Sequence, residues 1–228
     1  MPCKYRNVTG MLLRQSDGRA ILLDVGEGTI GQLLRMEQDF VLEDIKAVWI
    51  SHPHADHHLG ILRLLGERNA TEPLQLLAPE PIFRFLEEFA ELVPSIRGTY
   101  YAIDCKYLMR ENKELRDRLA HFTGISDCRT VPVAHCPHAY AVILDGTCFG
   151  RVVYSGDCRP SKQLAQVARG ADLLIHEATF EDGMEAEAVL RKHSTVGEAL
   201  IVANEMEAKC TVLTHFSQRY PKVPPLHG

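Results

Sequence analysis

The sequence predicts a single mixed α/β domain, and three observations carry that expectation. Short apolar runs rich in Val, Ile and Leu recur at 45–50, 131–133, 151–154, 173–175 and 211–213. Between several of them, apolar residues return every three or four positions, as on one face of a helix. No repeat, low-complexity tract or linker breaks the 228 residues, so 1–228 is expected to form one domain with its own core.

Taken in order, 8–13 and 20–24 read as strands joined by a Ser16-Asp17-Gly18 turn. Asp24-Val25-Gly26-Glu27-Gly28-Thr29 leads into a helix with Ile30, Leu33 and Leu34 on one face. The run from Ile45 to Ile50 is a buried strand, and 58–65 follows as helix. Residues 74–77 form a short strand. Ile82, Phe85, Leu86 and Phe89 make 81–93 an amphipathic helix. The stretch 97–130 has the weakest pattern, with a helix expected only at 111–120. Strands at 131–133, 139–144 and 151–154 follow, the last two turned by Asp145-Gly146. Buried strands at 173–175 and 211–213 each end in a histidine, and Thr195 with Glu198 makes a capping box for a helix to about Ala208.

Composition excludes several classes. Hydrophobic residues at 46% and charged residues at 24% are ordinary for a globular chain. A net charge of −5 offers no general basic face for nucleic acid, although a local patch would escape that count. Seven scattered cysteines without a CxxC pair, and no secretory signal, point to a reduced intracellular setting. No apolar stretch approaches the roughly 18 residues of a membrane span, and the N-terminus has no transit-peptide character.

The segment His52-Pro53-His54-Ala55-Asp56-His57-His58 holds four histidines and an aspartate directly after a strand. Imidazole and carboxylate are the ligands of open, catalytic zinc sites, and loops at strand C-termini are where α/β sheets carry chemistry. So many donors cannot crowd one ion if other segments also contribute, so the spacing points to two metals. Three further donors stand just past expected strands: His135, Asp157 and His215. The expected arrangement puts His52, His54 and His135 on one zinc and Asp56, His57 and His215 on the other. Asp157 is shared, since a bridging carboxylate can hold two dications at about 3.5–4 Å. Asp24, before Gly26 and Gly28, is expected to orient ligand loops rather than bind metal.

This set resembles the metallo-β-lactamase superfamily, with its His-x-His-x-Asp-His motif. Further strings are similar to the tRNase Z family: Pro2-Cys3-Lys4-Tyr5-Arg6-Asn7, Asp24-Val25-Gly26-Glu27-Gly28-Thr29, His176-Glu177-Ala178-Thr179, His193-Ser194-Thr195 and His215-Phe216-Ser217-Gln218-Arg219-Tyr220. The likeness runs from Pro2 to about Pro224, with 97–130 its weak part. It implies an αββα sandwich, two zinc ions, and hydrolytic removal of the 3′ trailer from pre-tRNA after the discriminator nucleotide. His193 is the candidate proton donor, held cationic by Glu177, a pairing that the resemblance also implies; Asp56 is a candidate to accept a proton while acting as ligand. Lys4, Arg6, Asn7 and His138 are candidates for RNA contact or for supporting the centre; Gly26 and Gly28 would let a phosphate approach.

The family's short form inserts a flexible tRNA-gripping arm before the bridging Asp. Here only 136–156 separate His135 from Asp157, so the arm is expected to be absent. The pattern is that of the catalytic C-terminal half of the long form, starting after that family's first strand. A fragment is therefore expected, with an N-terminal half or a homodimer partner completing it, in nucleus or mitochondrion. Two alternatives stand beside this reading: another hydrolase of the same fold, acting on thioesters or phosphodiesters, or a non-catalytic half that binds RNA or a partner.

Overall fold

The computed structural model describes residues 7–36, 40–146 and 148–220. Lys4 and Arg6, expected near RNA, lie outside the described residues. The first sheet contains β1 (Gly10–Arg14), β2 (Ala20–Val25), β3 (Ile45–Trp49), β4 (Leu74–Ala78) and β5 (Tyr100–Asp104) in sequential order. β1 runs antiparallel to β2, and the other neighbours are parallel. The second sheet orders β10 (Thr211–Thr214), β9 (Leu173–Glu177), β8 (Gly150–Tyr154), β7 (Tyr140–Gly146) and β6 (Ile125–Pro132). Its β8, β9 and β10 are parallel, and β6–β7–β8 form an antiparallel meander.

Alternation along the strands makes the layers. Ile21 and Leu23 face the other sheet with Ala47, Trp49 and Leu77, against Val142, Leu144, Val152 and Tyr154. Their neighbours Leu22 and Val48 face outward, onto Ile30 of α1 (Thr29–Leu33), Ile61 and Leu64 of α3 (Gly60–Glu67), and Ile82 and Leu86 of α4 (Glu80–Leu92). On the far side Ile143, Val153 and Leu174 pack on Leu164 of α6 (Lys162–Val167) and on Val202 and Met206 of α8 (Val196–Met206). Because successive side chains point to opposite faces, strands covered on both sides read as continuous apolar runs. The result is four layers, helix–sheet–sheet–helix, as expected. Each fully buried Leu or Ile adds about 1.5–3 kcal/mol of burial free energy.

Two expectations need correction. α1 ends at Leu33, and Leu34, expected on its packed face, is 48% exposed because the helix stops after five residues. Among the described residues β10 is an edge strand, so Val212 is 47% exposed and the expected burial of 211–213 does not hold. The weakly patterned stretch 97–130 contains β5, α5 (Lys113–Thr123) and most of β6, and α5 covers one end of the inter-sheet core through Leu119. Helix 58–65 divides into α2 (Ala55–His58) and α3. The described residues between His135 and Asp157 form a β7–β8 hairpin. Among the described residues no helix is long and apolar enough to cross a membrane.

Candidate metal centre

The C-terminal ends of the parallel strands converge at one edge of the sandwich, and the expected donors come together there. His52 and His54 follow β3, Asp56 and His57 lie in α2, Asp157 follows β8, and His215 follows β10. His52 Nε2 stands 2.9 Å from His54 Nδ1, which is 3.2 Å from His135 Nε2. Asp56, His57 and His215 form a second group with donor atoms within 4.8 Å of one another. Asp157 Oδ2 lies between the groups, 3.8 Å from His52 and His135 Nε2 and 3.4 Å from His57 and His215 Nε2.

These spacings test whether metal fits. In a tetrahedral site with bonds of about 2.0–2.1 Å to nitrogen, ligand atoms stand roughly 3.3 Å apart, the separation that prevails here. His57 Nε2, His215 Nε2 and Asp157 Oδ1 are buried without hydrogen-bond partners, a costly state that cations would relieve. The donor set is nitrogen and oxygen, suited to zinc. Cys136 also brings its sulfur within 4.8 Å of donors on His52, His54 and His135.

The ring orientations are fixed from behind. His52 Nδ1 meets Ser51 Oγ at 2.8 Å, and His57 Nδ1 meets Asp24 Oδ2 at 2.7 Å. His135 Nδ1 donates to the Lys192 carbonyl at 2.9 Å, and His215 Nδ1 meets Thr179 Oγ1 at 2.8 Å. Four rings are thus held through Nδ1, leaving Nε2 turned inward, while His54 turns Nδ1 inward. Asp24 is wholly buried with φ 55°, and accepts from Ser51 N–H at 2.7 Å, Ser51 Oγ at 2.9 Å and Tyr154 OH at 2.7 Å. It sits behind His57, outside the inward-facing donor groups.

The electrostatics leave three of the rings free of protons, whereas His57 holds one that a metal would have to displace. Burial, reinforced by the neighbouring His57, pushes His52 down to about 2, and burial also lowers His54 and His135, so all three present neutral lone pairs. His215, whose Nε2 stands 3.8 Å from the carboxylate, holds Asp56 well below the carboxylate range. Burial opposes ionisation of Asp157, yet His215, His57 and His52 together keep it far below its usual value. Burial likewise opposes charge on His57, and the carboxylates of Asp157 and Asp24 outweigh it.

Beside the donors stands a second unit. His193 Nδ1 lies 2.8 Å from Glu177 Oε1, and Glu177 is fully buried at the end of β9. The Cys158 N–H donates to the same oxygen at 2.8 Å, while Thr179 donates N–H and hydroxyl to the other. Burial disfavours protonation of His193, but the Glu177 hydrogen bond and charge lift it above its ordinary value. Cys158, which stands where the family pattern has Thr, keeps the backbone bond and packs its thiol 3.9 Å from His176 Nε2.

Other expected residues are placed differently. Gly26 lies against the metal loop: a Cβ there would collide with the Asp56 carbonyl, and Thr9 N–H donates to that oxygen at 3.2 Å. Gly28, with φ 88°, faces the Asn7 side chain, so the neighbour of this turn is protein. Asn7 is exposed and lines a shallow cleft with His215. His138 is exposed with φ 62° and outside the donor groups; His58 is buried, its ring 5.3 Å from Phe85. The supports from Ser51, Tyr154, Thr179 and the Lys192 carbonyl carry no sequence periodicity, although Thr179 stands inside the His-Glu-Ala-Thr string. A cleft of about 500 Å³ opens over the centre, lined in part by His54, Asp56, His193 and His215.

The model of the beta-lactamase superfamily domain matches residues 19–216, spanning every donor. The chain belongs to the beta-lactamase superfamily. Within it, the chain is 38% identical to the mitochondrial ribonuclease Z of Drosophila melanogaster over 99% of its own length and 31% of that protein's. It is also 38% identical to the human zinc phosphodiesterase ELAC protein 2, covering 98% of itself and 29% of that protein. It thus spans less than a third of these relatives. Among solved structures, a long form RNase Z from yeast superposes with a TM-score of 0.86 at 31% identity, over 99% of this chain and 37% of that one. The short form of human tRNase Z gives 0.79 at 26% identity, over 96% and 89%. These superfamily members share the sandwich.

Proposed function

We propose that this chain is the catalytic portion of a zinc-dependent endoribonuclease that removes the 3′ trailer of pre-tRNA, leaving a tRNA 3′-hydroxyl. The observation that carries it is the pairing of two donor groups about Asp157 with His193 held by Glu177 at their side. The names of the relatives, ribonuclease Z and zinc phosphodiesterase, support the reaction class. His52, His54 and His135 would hold one zinc, and Asp56, His57 and His215 the other, with Asp157 between them. When bound, two zinc ions supply Lewis acidity and a nucleophile at neutral pH.

The chain's own groups do the rest. Asp56, an anion at the mouth of the centre, accepts the proton released as water attacks phosphorus. The P–O3′ bond of the discriminator nucleotide breaks, and its oxygen needs a proton. His193 supplies that proton from the ring that Glu177 keeps cationic, a contribution of about 10²–10⁴-fold. Burial behind Ser51, Asp24 and Thr179 keeps the imidazoles in place through the step.

An N-terminal half of a longer chain, or a second copy, would supply further tRNA-gripping surface. Two relatives carry the word mitochondrial in their names, which supports that compartment; the nucleus rests on family resemblance. The deciding experiment is cleavage of labelled pre-tRNA bearing a trailer, with added zinc, by the wild type and by Asp56→Ala. Cleavage after the discriminator base that disappears in the variant is expected. Hydrolysis of bis(p-nitrophenyl) phosphate without RNA cleavage would reject the tRNA substrate for this chain alone.

A further inference from the structure

Two arginines stand at the cleft with one carboxylate between them. Arg191 closes α7 (Glu185–Arg191), Arg219 lies four residues past His215, and both line the wall that carries His193. Arg191 Nε donates to Glu187 Oε1 at 2.8 Å, and Arg219 Nη2 stands 3.8 Å from that same oxygen. Among the described residues, one carboxylate shared by two guanidinium groups leaves one positive charge without an ion-pair partner in this cluster. Each guanidinium carries five donors, far more than Glu187 can take. The side chains are 57% and 51% exposed, so the remaining donors reach the cleft.

Arg219 is held in place from the protein side. Its guanidinium lies 5.7 Å from the ring of buried Phe180. Its segment is stapled to 179–181 by Ser217 N–H on the Thr179 carbonyl at 3.1 Å and Glu181 N–H on Tyr220 OH at 3.2 Å. A guanidinium fixed in this way loses less freedom on gripping an anion than a solvated one does.

We propose that Arg191 and Arg219 form a subsite for the RNA phosphate next to the scissile one, on the side of the leaving 3′-oxygen. The assignment rests on the ribonuclease reading given above. Its side follows from His193: Arg191 is two residues from the proposed proton donor, whose ring stacks on His215 at 5.5 Å. The phosphate bound would be the linkage 5′ of the discriminator nucleotide, and its two charged contacts would set which bond reaches the centre.

The test is binding of a short single-stranded RNA spanning the cleavage site to the zinc-loaded chain across a salt series. Arg191→Gln/Arg219→Gln is expected to weaken binding about tenfold or more, as loss of charged hydrogen bonds does. Its plot of log affinity against log salt should be shallower by roughly 0.7, one phosphate of a single strand. Arg191→Lys/Arg219→Lys should recover that slope. A neutral methylphosphonate at the linkage 5′ of the discriminator should weaken the wild type and cost the glutamine variant nothing more. Equal slopes, or a methylphosphonate penalty that persists in full in the variant, would overturn the subsite. Bound zinc and the melting temperature check the variants' fold; if the double variant fails that check, each single substitution carries the same comparison. Wild-type cleavage of pre-tRNA is read separately. A slope difference without cleavage keeps the subsite and rejects the tRNA substrate, and cleavage with equal slopes does the reverse.

Discussion

Glu177 serves two imidazoles from one buried position. It accepts directly from His193, and through the Thr179 hydroxyl it reaches Nδ1 of His215. Its own titration is lowered despite burial, because His193 bonds it. The sign of the functional consequence follows: a proton donor with a raised pKa stays active to higher pH and fails as pH rises through that value. Glu177→Gln removes the charge that lifts His193, so the alkaline limb of the cleavage profile should move to lower pH. An unmoved limb would mean that His193 is not the group titrating. Thr179→Val cuts the relay to His215, which leaves the ring free to turn its Nε2 away. Weaker retention of one zinc in a chelator competition is expected, by about 10–100-fold for loss of such a support. Equal retention would show that Thr179 does not orient the ligand.

At the scale of elements, the centre depends on how closely a loop and a helix approach. Gly26 ends β2's extension directly against the carbonyl of Asp56, in α2, and Gly60 at the start of α3 packs on the Gly26 carbonyl. Gly26→Ala forces these segments apart; about 1–3 kcal/mol of stability should be lost, the usual cost of overpacking. Melting curves and zinc content check it, and a variant unchanged in both would show that the contact yields freely. This approach also marks where sequence reading stops. The strands and their terminal donors were legible because burial on both faces demands unbroken apolar runs, and chemistry sits where those runs end. The edge character of β10 was not, since Val212 reads as apolar whether or not a neighbour covers it. Nor were Ser51 and Tyr154 as supports of the donors, because a hydroxyl's partner is chosen by tertiary contact and leaves no period in the chain. In 97–130, alternation is broken by half-exposed positions such as Tyr101, so β5 gave little signal.

For the whole molecule, the centre couples metal, protons and stability. Five imidazoles, those of His52, His54, His58, His135 and His176, are lowered by burial, while His57 and His193 are raised. A lowered histidine binds its proton in the unfolded chain first, so its contribution falls as pH drops below about 6.5. A raised histidine works the other way: its contribution is complete below about 6.5 and is lost as pH rises through its folded value. Below about 6.5 the two raised rings have nothing further to add, so metal-free protein should lose stability steadily as pH falls from about 6.5 towards 5. Zinc adds to the folded state by mass action, about 2.7 kcal/mol at a hundredfold excess over its dissociation constant. Protons compete with zinc for the same nitrogens, so the stability added by metal should itself shrink over that window. Thermal melts of chelator-treated and zinc-loaded protein between pH 7.5 and 5 would read both effects. Converging curves that both fall with acid are expected; a metal-free melting temperature that stays level or rises would mean these rings are not held neutral in the folded chain.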